Sequence, residues 1–238
     1  MESPNSGKVS EAAEDISGFG VPALRTLRDL VLRPEAIVAA METGGATGGG
    51  RYATPLRFFL ALNGVMMLVF FLFGGMEGAV GAAFPEELIA KLSASADKSV
   101  DAWMADFDQW SSLVLVPLIG MSMVGAAVPL VAAWRKKGWL SAFRESMTAI
   151  NSWTVFTAAL SPIIYTQAIV SGDRAIAAQV GMFVLFVYPF VRVGRGLWFT
   201  TVSGGVAKGA LMIVVLLISS TVGSLLVWLT GFLGAMYA

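Results

Sequence analysis

An all-helical integral membrane protein with five transmembrane helices and amphipathic interfacial helices is the predicted fold class, on four observations. Hydrophobic residues make up 56% of the 238 residues and charged residues only 13%, whereas a soluble domain carries about 25% charged residues. Mean hydropathy is +0.74. Several apolar runs reach the ~20 residues needed to cross a ~30 Å hydrocarbon core as helix. Lysines and arginines gather in alternate loops.

The amino-terminal residues 1–21 hold Glu2, Lys8, Glu11, Glu14 and Asp15 among Ser, Gly and Ala, too little apolar content to pack, and are expected to be a mobile tail. Residues 22–55 form a cytoplasmic amphipathic segment. Pro22 suits a first helical position, Leu24, Leu27, Leu30 and Val31 share one face, and Arg25, Arg28 and Asp29 fall largely elsewhere. Arg33-Pro34 ends that helix. A second runs through Ile37, Val38 and Met41 to Gly44, and the Gly-rich stretch 44–50 is read as slack. Two readings stand for this segment: a basic element on anionic lipid or a partner, or a stop packed beneath the bundle.

The membrane domain, 56–238, has spans at about 56–75, 112–134, 151–170, 175–191 and 210–229. Between the first two lies an acidic loop, with a helix start at Pro85-Glu86-Glu87. In it Val100, Trp103, Met104 and Phe107 repeat at helical spacing with Trp110 nearby, and Asp97, Asp101 and Asp108 project beside that stripe. This reads as a helix in the outer interface with Trp103 and Trp110 at headgroup depth, the alternative being an acidic dock for cations or a basic partner. Arg135, Lys136 and Lys137 close the second span. A second interfacial helix follows, with Trp139, Leu140, Phe143, Met147 and Ile150 opposed by Arg144, Glu145 and Thr148. The short Ser171-Gly172-Asp173-Arg174 link makes spans three and four antiparallel neighbours. A loose Ser203-Gly204-Gly205 linker leads to the last span.

Sorted by loop, Arg25, Arg28, Arg33, Arg51, Arg57, Arg135, Lys136, Lys137, Arg144, Arg192, Arg195 and Lys208 lie on one side; Lys91, Lys98 and Arg174 lie on the other. The positive-inside rule then puts the amino terminus in the cytoplasm and the carboxyl terminus outside. No cleavable signal is expected, since the first long apolar run begins at about residue 55.

Without histidine or cysteine, disulfides, the usual zinc sites, His-ligated haem and Ser-His or Cys-His nucleophiles are excluded. No catalytic residue, metal or cofactor is expected. A net charge of zero gives no pull towards nucleic acid. No Asp or Glu falls within a proposed span, which lowers the case for an ion-coupled carrier. The intramembrane polar set is Asn63, Asn151, Tyr165, Gln167 and Gln179, read as helix-to-helix hydrogen bonding or as a solute pocket. Small residues four apart, Ser219 with Gly223 and Ser220 with Ser224, allow close helix approach. Gly223 therefore contacts either a second copy or its own bundle. Contact with lipid or a partner is assigned to Arg25, Arg28, Trp103, Trp110, Arg135, Lys136, Lys137 and Gly223. The expected partners are the bilayer and a homo-oligomer or larger membrane complex, and the expected role is that of a scaffold or accessory subunit, the alternative being a carrier or channel for a lipid or small solute.

The order Thr26-Leu27-Arg28-Asp29-Leu30, Arg33-Pro34, Arg51-Tyr52 and Pro55-Leu56-Arg57 resembles an uncharacterised bacterial polytopic membrane family, over residues 24–75. Beyond that stretch, span count and loop charge are similar to the Yip type, named for Rab-interacting proteins of the eukaryotic secretory pathway. The resemblance implies a five-span fold in the cytoplasmic membrane and brings no catalytic residue with it. Many members of the bacterial family carry a Cys-rich, zinc-ribbon-like amino end, for which this chain has no cysteine.

Overall fold

The structure, a computed structural model, describes residues 20–72, 76, 80, 84–168, 181 and 183–237, without the side chains of 69–71 and 161–168. Among them are eight α-helices and no β-strand: α1 (Val21–Leu32), α2 (Pro34–Gly44), α3 (Pro55–Leu72), α4 (Glu86–Ser95), α5 (Val100–Arg135), α6 (Trp139–Ala168), α7 (Val187–Gly194) and α8 (Val202–Tyr237). Helices α5 and α8 are long and apolar enough to cross a membrane. At 36 residues each they run about 54 Å, well beyond a ~30 Å hydrocarbon core. The chain divides into two compact units, Met1–Leu62 with Val128–Ile213, and Asn63–Ala127 with Val214–Ala238.

Three boundaries differ from the sequence reading. The outer interfacial stripe and the second span are one uninterrupted helix, α5, because nothing between Trp110 and Leu113 interrupts i to i−4 hydrogen bonding. The inner interfacial segment and the start of the third span are likewise one helix, α6. The supposed Ser203-Gly204-Gly205 linker is the first turn of α8, capped by the Thr201 hydroxyl, which accepts from the Gly204 N–H at 3.2 Å. Of the fourth span, 175–191, residues 175–180 and 182 lie outside the described ones, and its end falls on the short α7.

In the first unit, α1, α2 and α7 pack on α6. Their core is Ala23, Leu30, Ile37, Met41, Tyr52, Phe58 and Leu62. The buried face of α1 is Ala23, Thr26, Asp29 and Leu30, rotated from the expected stripe, and Leu24 is left 59% exposed. Helix ends leave carbonyls without intrahelical partners, and here neighbours supply donors. Ser152 Oγ donates to Leu30 O at 2.7 Å and Tyr188 Oη to Val31 O at 2.7 Å.

The glycine stretch is an ordered turn. A 3-10 turn spans Gly45–Thr47, the Gly49 N–H donates to Gly44 O, and the Tyr52 N–H donates to Thr47 O. Gly48 has φ +58° with no room for a Cβ, which would lie 2.9 Å from that of Ala40.

In the second unit, Trp103 and Phe107 are fully buried and stack with centroids 5.6 Å apart. Phe232 meets both rings, while Trp228 meets Phe107 and Phe84. Trp103 therefore belongs to a protein core, which corrects its assignment to lipid or partner contact; Trp110 remains 39% exposed. The acidic residues beside this stripe are partly tied down. Asp108 accepts from the Met76 N–H and from Ser112 Oγ, and Asp106 pairs with Lys98 at 2.6 Å.

Candidate functional site

The chemistry-bearing side chains of the first unit form two clusters. The first is built by the turn after α2, which swings Tyr52 back over α1. Its hydroxyl donates to Asp29 Oδ2 at 2.8 Å, while Arg28 and Arg33 donate to Oδ1 at 2.8 and 3.2 Å. The Asp29 side chain is fully buried. Burial pushes its carboxyl up, but hydrogen bonds from Arg28, Tyr52 and Arg33 outweigh that and hold it at about 2, below its ordinary 3.8. Burial and the Asp29 hydrogen bond raise the Tyr52 phenol. Thr26 adds a further tie, accepting from the Ala53 N–H at 3.0 Å.

The second cluster centres on Glu145, which is 1% exposed although the helical pattern places it on a solvent face. One oxygen accepts from Arg135 Nε at 2.9 Å and the other from the buried Trp198 indole at 2.7 Å. Arg135 also reaches Glu42 at 2.5 Å, and Lys137 reaches the same oxygen at 3.0 Å. Those donors, Lys137 foremost, hold the Glu42 carboxyl below its ordinary range. A small polar cavity of about 130 Å³ lies between Val38, Met41, Glu42, Lys137, Ser141, Arg144 and Glu145. Outside these two clusters, Arg192 clamps Glu35. The Lys208 ammonium donates to Trp198 O and sits 5.4 Å from the Trp134 ring centroid.

A carboxylate whose two oxygens already accept from cations and hydroxyl or indole donors is a poor general base. The clusters therefore act as clamps between helices. Asp29, Tyr52, Glu145 and Trp198 were missed as candidate residues; Asp29 and Tyr52 lay within the family-like stretch, and Glu145 stood out only as an acid in a strongly basic region.

The predicted residues are distributed as follows. Arg135 and Lys137 sit in the second cluster and Arg28 in the first, whereas Arg25 and Lys136 are exposed. Asn151 is buried and its amide donates to Pro55 O at 2.9 Å, a helix-to-helix bond joining α6 to the start of α3. Asn63 is buried on α3. The Tyr165 and Gln167 side chains, and Gln179 altogether, lie outside the described residues.

Gly223 packs within its own chain: a Cβ there would lie 2.8 Å from Ile119 Cα on α5. Gly223→Leu is thus expected to cost about 1–3 kcal/mol of stability through overpacking, read as a lower thermal midpoint in detergent, and to leave the association state unchanged in light scattering. A folded variant with an unchanged midpoint and a smaller assembly would instead make Gly223 an interface residue.

One further feature is an apolar cleft of about 580 Å³ between α7 and the first turns of α8, walled by Phe186, Val187, Phe190, Val206, Gly209 and Ile213, with Arg195 at its rim. Among the described residues, no group of three or more acidic side chains is placed to hold a metal ion. No family model, curated protein or solved structure matches the chain.

Proposed function

We propose that this chain is a non-catalytic, five-span protein of a bacterial inner membrane, Yip-like in layout, that serves as a scaffold or accessory subunit through its amino-terminal helix pair. In this reading the pair lies in the cytoplasm and the carboxyl terminus outside. One observation carries the proposal. The buried Asp29 ties α1 to the turn that follows α2, and Glu35 and Glu42 pair α2 with Arg192, Arg135 and Lys137, while the outer face of α1 combines exposed Val21, Leu24 and Leu32 with exposed Arg25 and Arg28. A rigid face that is both apolar and basic suits a partner or an anionic membrane surface.

The test is the size of the native complex after mild detergent extraction. The wild-type chain is expected to run larger than its monomer. Leu24→Glu with Arg25→Glu, both exposed and outside the Asp29 and Glu145 clusters, should shrink it while the fold stays intact, as read by an unchanged melting midpoint. A wild-type monomer, or a complex indifferent to both changes, would overturn the scaffold reading. A carboxyl-terminal reporter that behaves as cytoplasmic would separately sink the odd number of spans. The rival reading, a carrier or channel for a lipid or small solute, is favoured by the apolar cleft, although the residues lining it do not include Asn63 or Asn151.

A further inference from the structure

We infer that the cleft between α7 and α8 is a binding site for one anionic phospholipid, an acyl chain lying along the aromatic floor and the phosphate at Arg195. The cleft has the volume of a small-molecule site, within the ~300–1,000 Å³ usual for such sites. Its floor is rigid, since Phe190 and Phe199 stack with centroids 5.4 Å apart. Gly209 brings α8 against that floor, where a Cβ would lie 3.2 Å from Phe190. Its outer edges are apolar and open: Val187, Val191, Val202 and Val206 are 46%, 40%, 85% and 68% exposed. A valine edge of this kind is satisfied by hydrocarbon and not by water.

Polarity is confined to one end. There Arg195 is exposed and makes no side-chain hydrogen bond or ion pair among the described residues, unlike its neighbours Arg192 and Lys208, which are engaged by Glu35 and by Trp198 O. The Thr200 and Thr201 hydroxyls and the positive end of the 36-residue α8 share that end. An amphiphile with one negative head and an uncharged tail matches this layout. A protein helix would leave the cationic end unanswered unless it carried an acid at the same place, and free phosphate would leave the apolar length unfilled. The site extends the carrier reading and rests on α8 being in the membrane.

The experiment uses the full chain in neutral detergent, with native mass spectrometry after addition of palmitoyl-oleoyl phosphatidylglycerol or the matched phosphatidylcholine. Phosphatidylglycerol should be retained about fivefold better, the scale of one basic residue facing an anionic lipid. Arg195→Gln should abolish the preference, Arg195→Lys should keep it, and Val206→Trp, which fills the cleft from an exposed position, should reduce retention of both lipids. Equal retention of the two lipids, indifference to Arg195→Gln, full retention in Val206→Trp, or displacement by inorganic phosphate would each overturn the site. Carbonate washing of the same membranes separates the two levels. A chain released by carbonate refutes the membrane reading, whereas one that stays embedded without retaining lipid refutes the cleft alone.

Discussion

Glu145→Ala is expected to cost about 3–5 kcal/mol of stability, the range for removing one partner of a buried ion pair, and to lower the thermal midpoint more than any other substitution discussed here. Arg135, whose side chain is only 9% exposed, would lose its buried carboxylate partner, and the buried Trp198 indole its acceptor. Glu42 still reaches Arg135, so the loss is partly cushioned. Glu145→Gln keeps an acceptor for Trp198 and should cost less. Replacing both Arg135 and Glu145 by apolar residues of similar volume should cost less than Glu145→Ala, because the desolvation penalty disappears along with the attraction. Melting in detergent across these variants checks the order. If Glu145→Ala melted like wild type, the clamp would be incidental.

Asp29→Asn is the second large effect, and its signature is pH dependence. The native carboxyl sits at about 2 and its ordinary value is 3.8, so folding favours the ionised form. The stabilisation is complete above about 3.8 and is lost as pH falls towards about 2. At neutral pH the substitution should cost about 2–3 kcal/mol, since charge-assisted bonds from Arg28 and Arg33 are weakened and the Tyr52 hydroxyl keeps only a neutral acceptor. The gap in melting midpoint between wild type and variant should be widest at neutral pH and close between about 3.8 and about 2. A gap of constant size across that window would mean that the Asp29 charge is not what holds α1 to the turn.

Local chain-breaking chemistry was legible in the sequence. The α1–α2 boundary at Arg33-Pro34 and the start of α4 after Pro85 follow from proline's fixed φ and missing donor. The membrane-length helices α5 and α8 follow from hydropathy. What hydropathy misplaces is where a helix stops. Between Trp110 and Leu113 the composition turns from acidic to apolar, which signals a change of surroundings, yet no residue there prevents continued backbone hydrogen bonding. Glu145 shows the same limit for side chains. Helical periodicity separates polar from apolar faces but cannot say whether the polar face meets water or the guanidinium of Arg135, ten residues earlier in sequence and brought near by the turn between α5 and α6. The glycine run misleads for a related reason: composition measures freedom in the unfolded chain, whereas Gly45, Gly48, Gly49 and Gly50 use that freedom to hold positive φ in one closed turn.

That turn makes the amino-terminal helices and the first turns of α3 mechanically continuous. Tyr52 is bonded back to Asp29, Ala53 to Thr26, and Pro55 is held by Asn151 immediately before the chain enters α3. Any force that moved α1 would therefore meet bonded segments as far as Pro55, and would bear on the buried Phe58 and Leu62 before it could be taken up as loop motion.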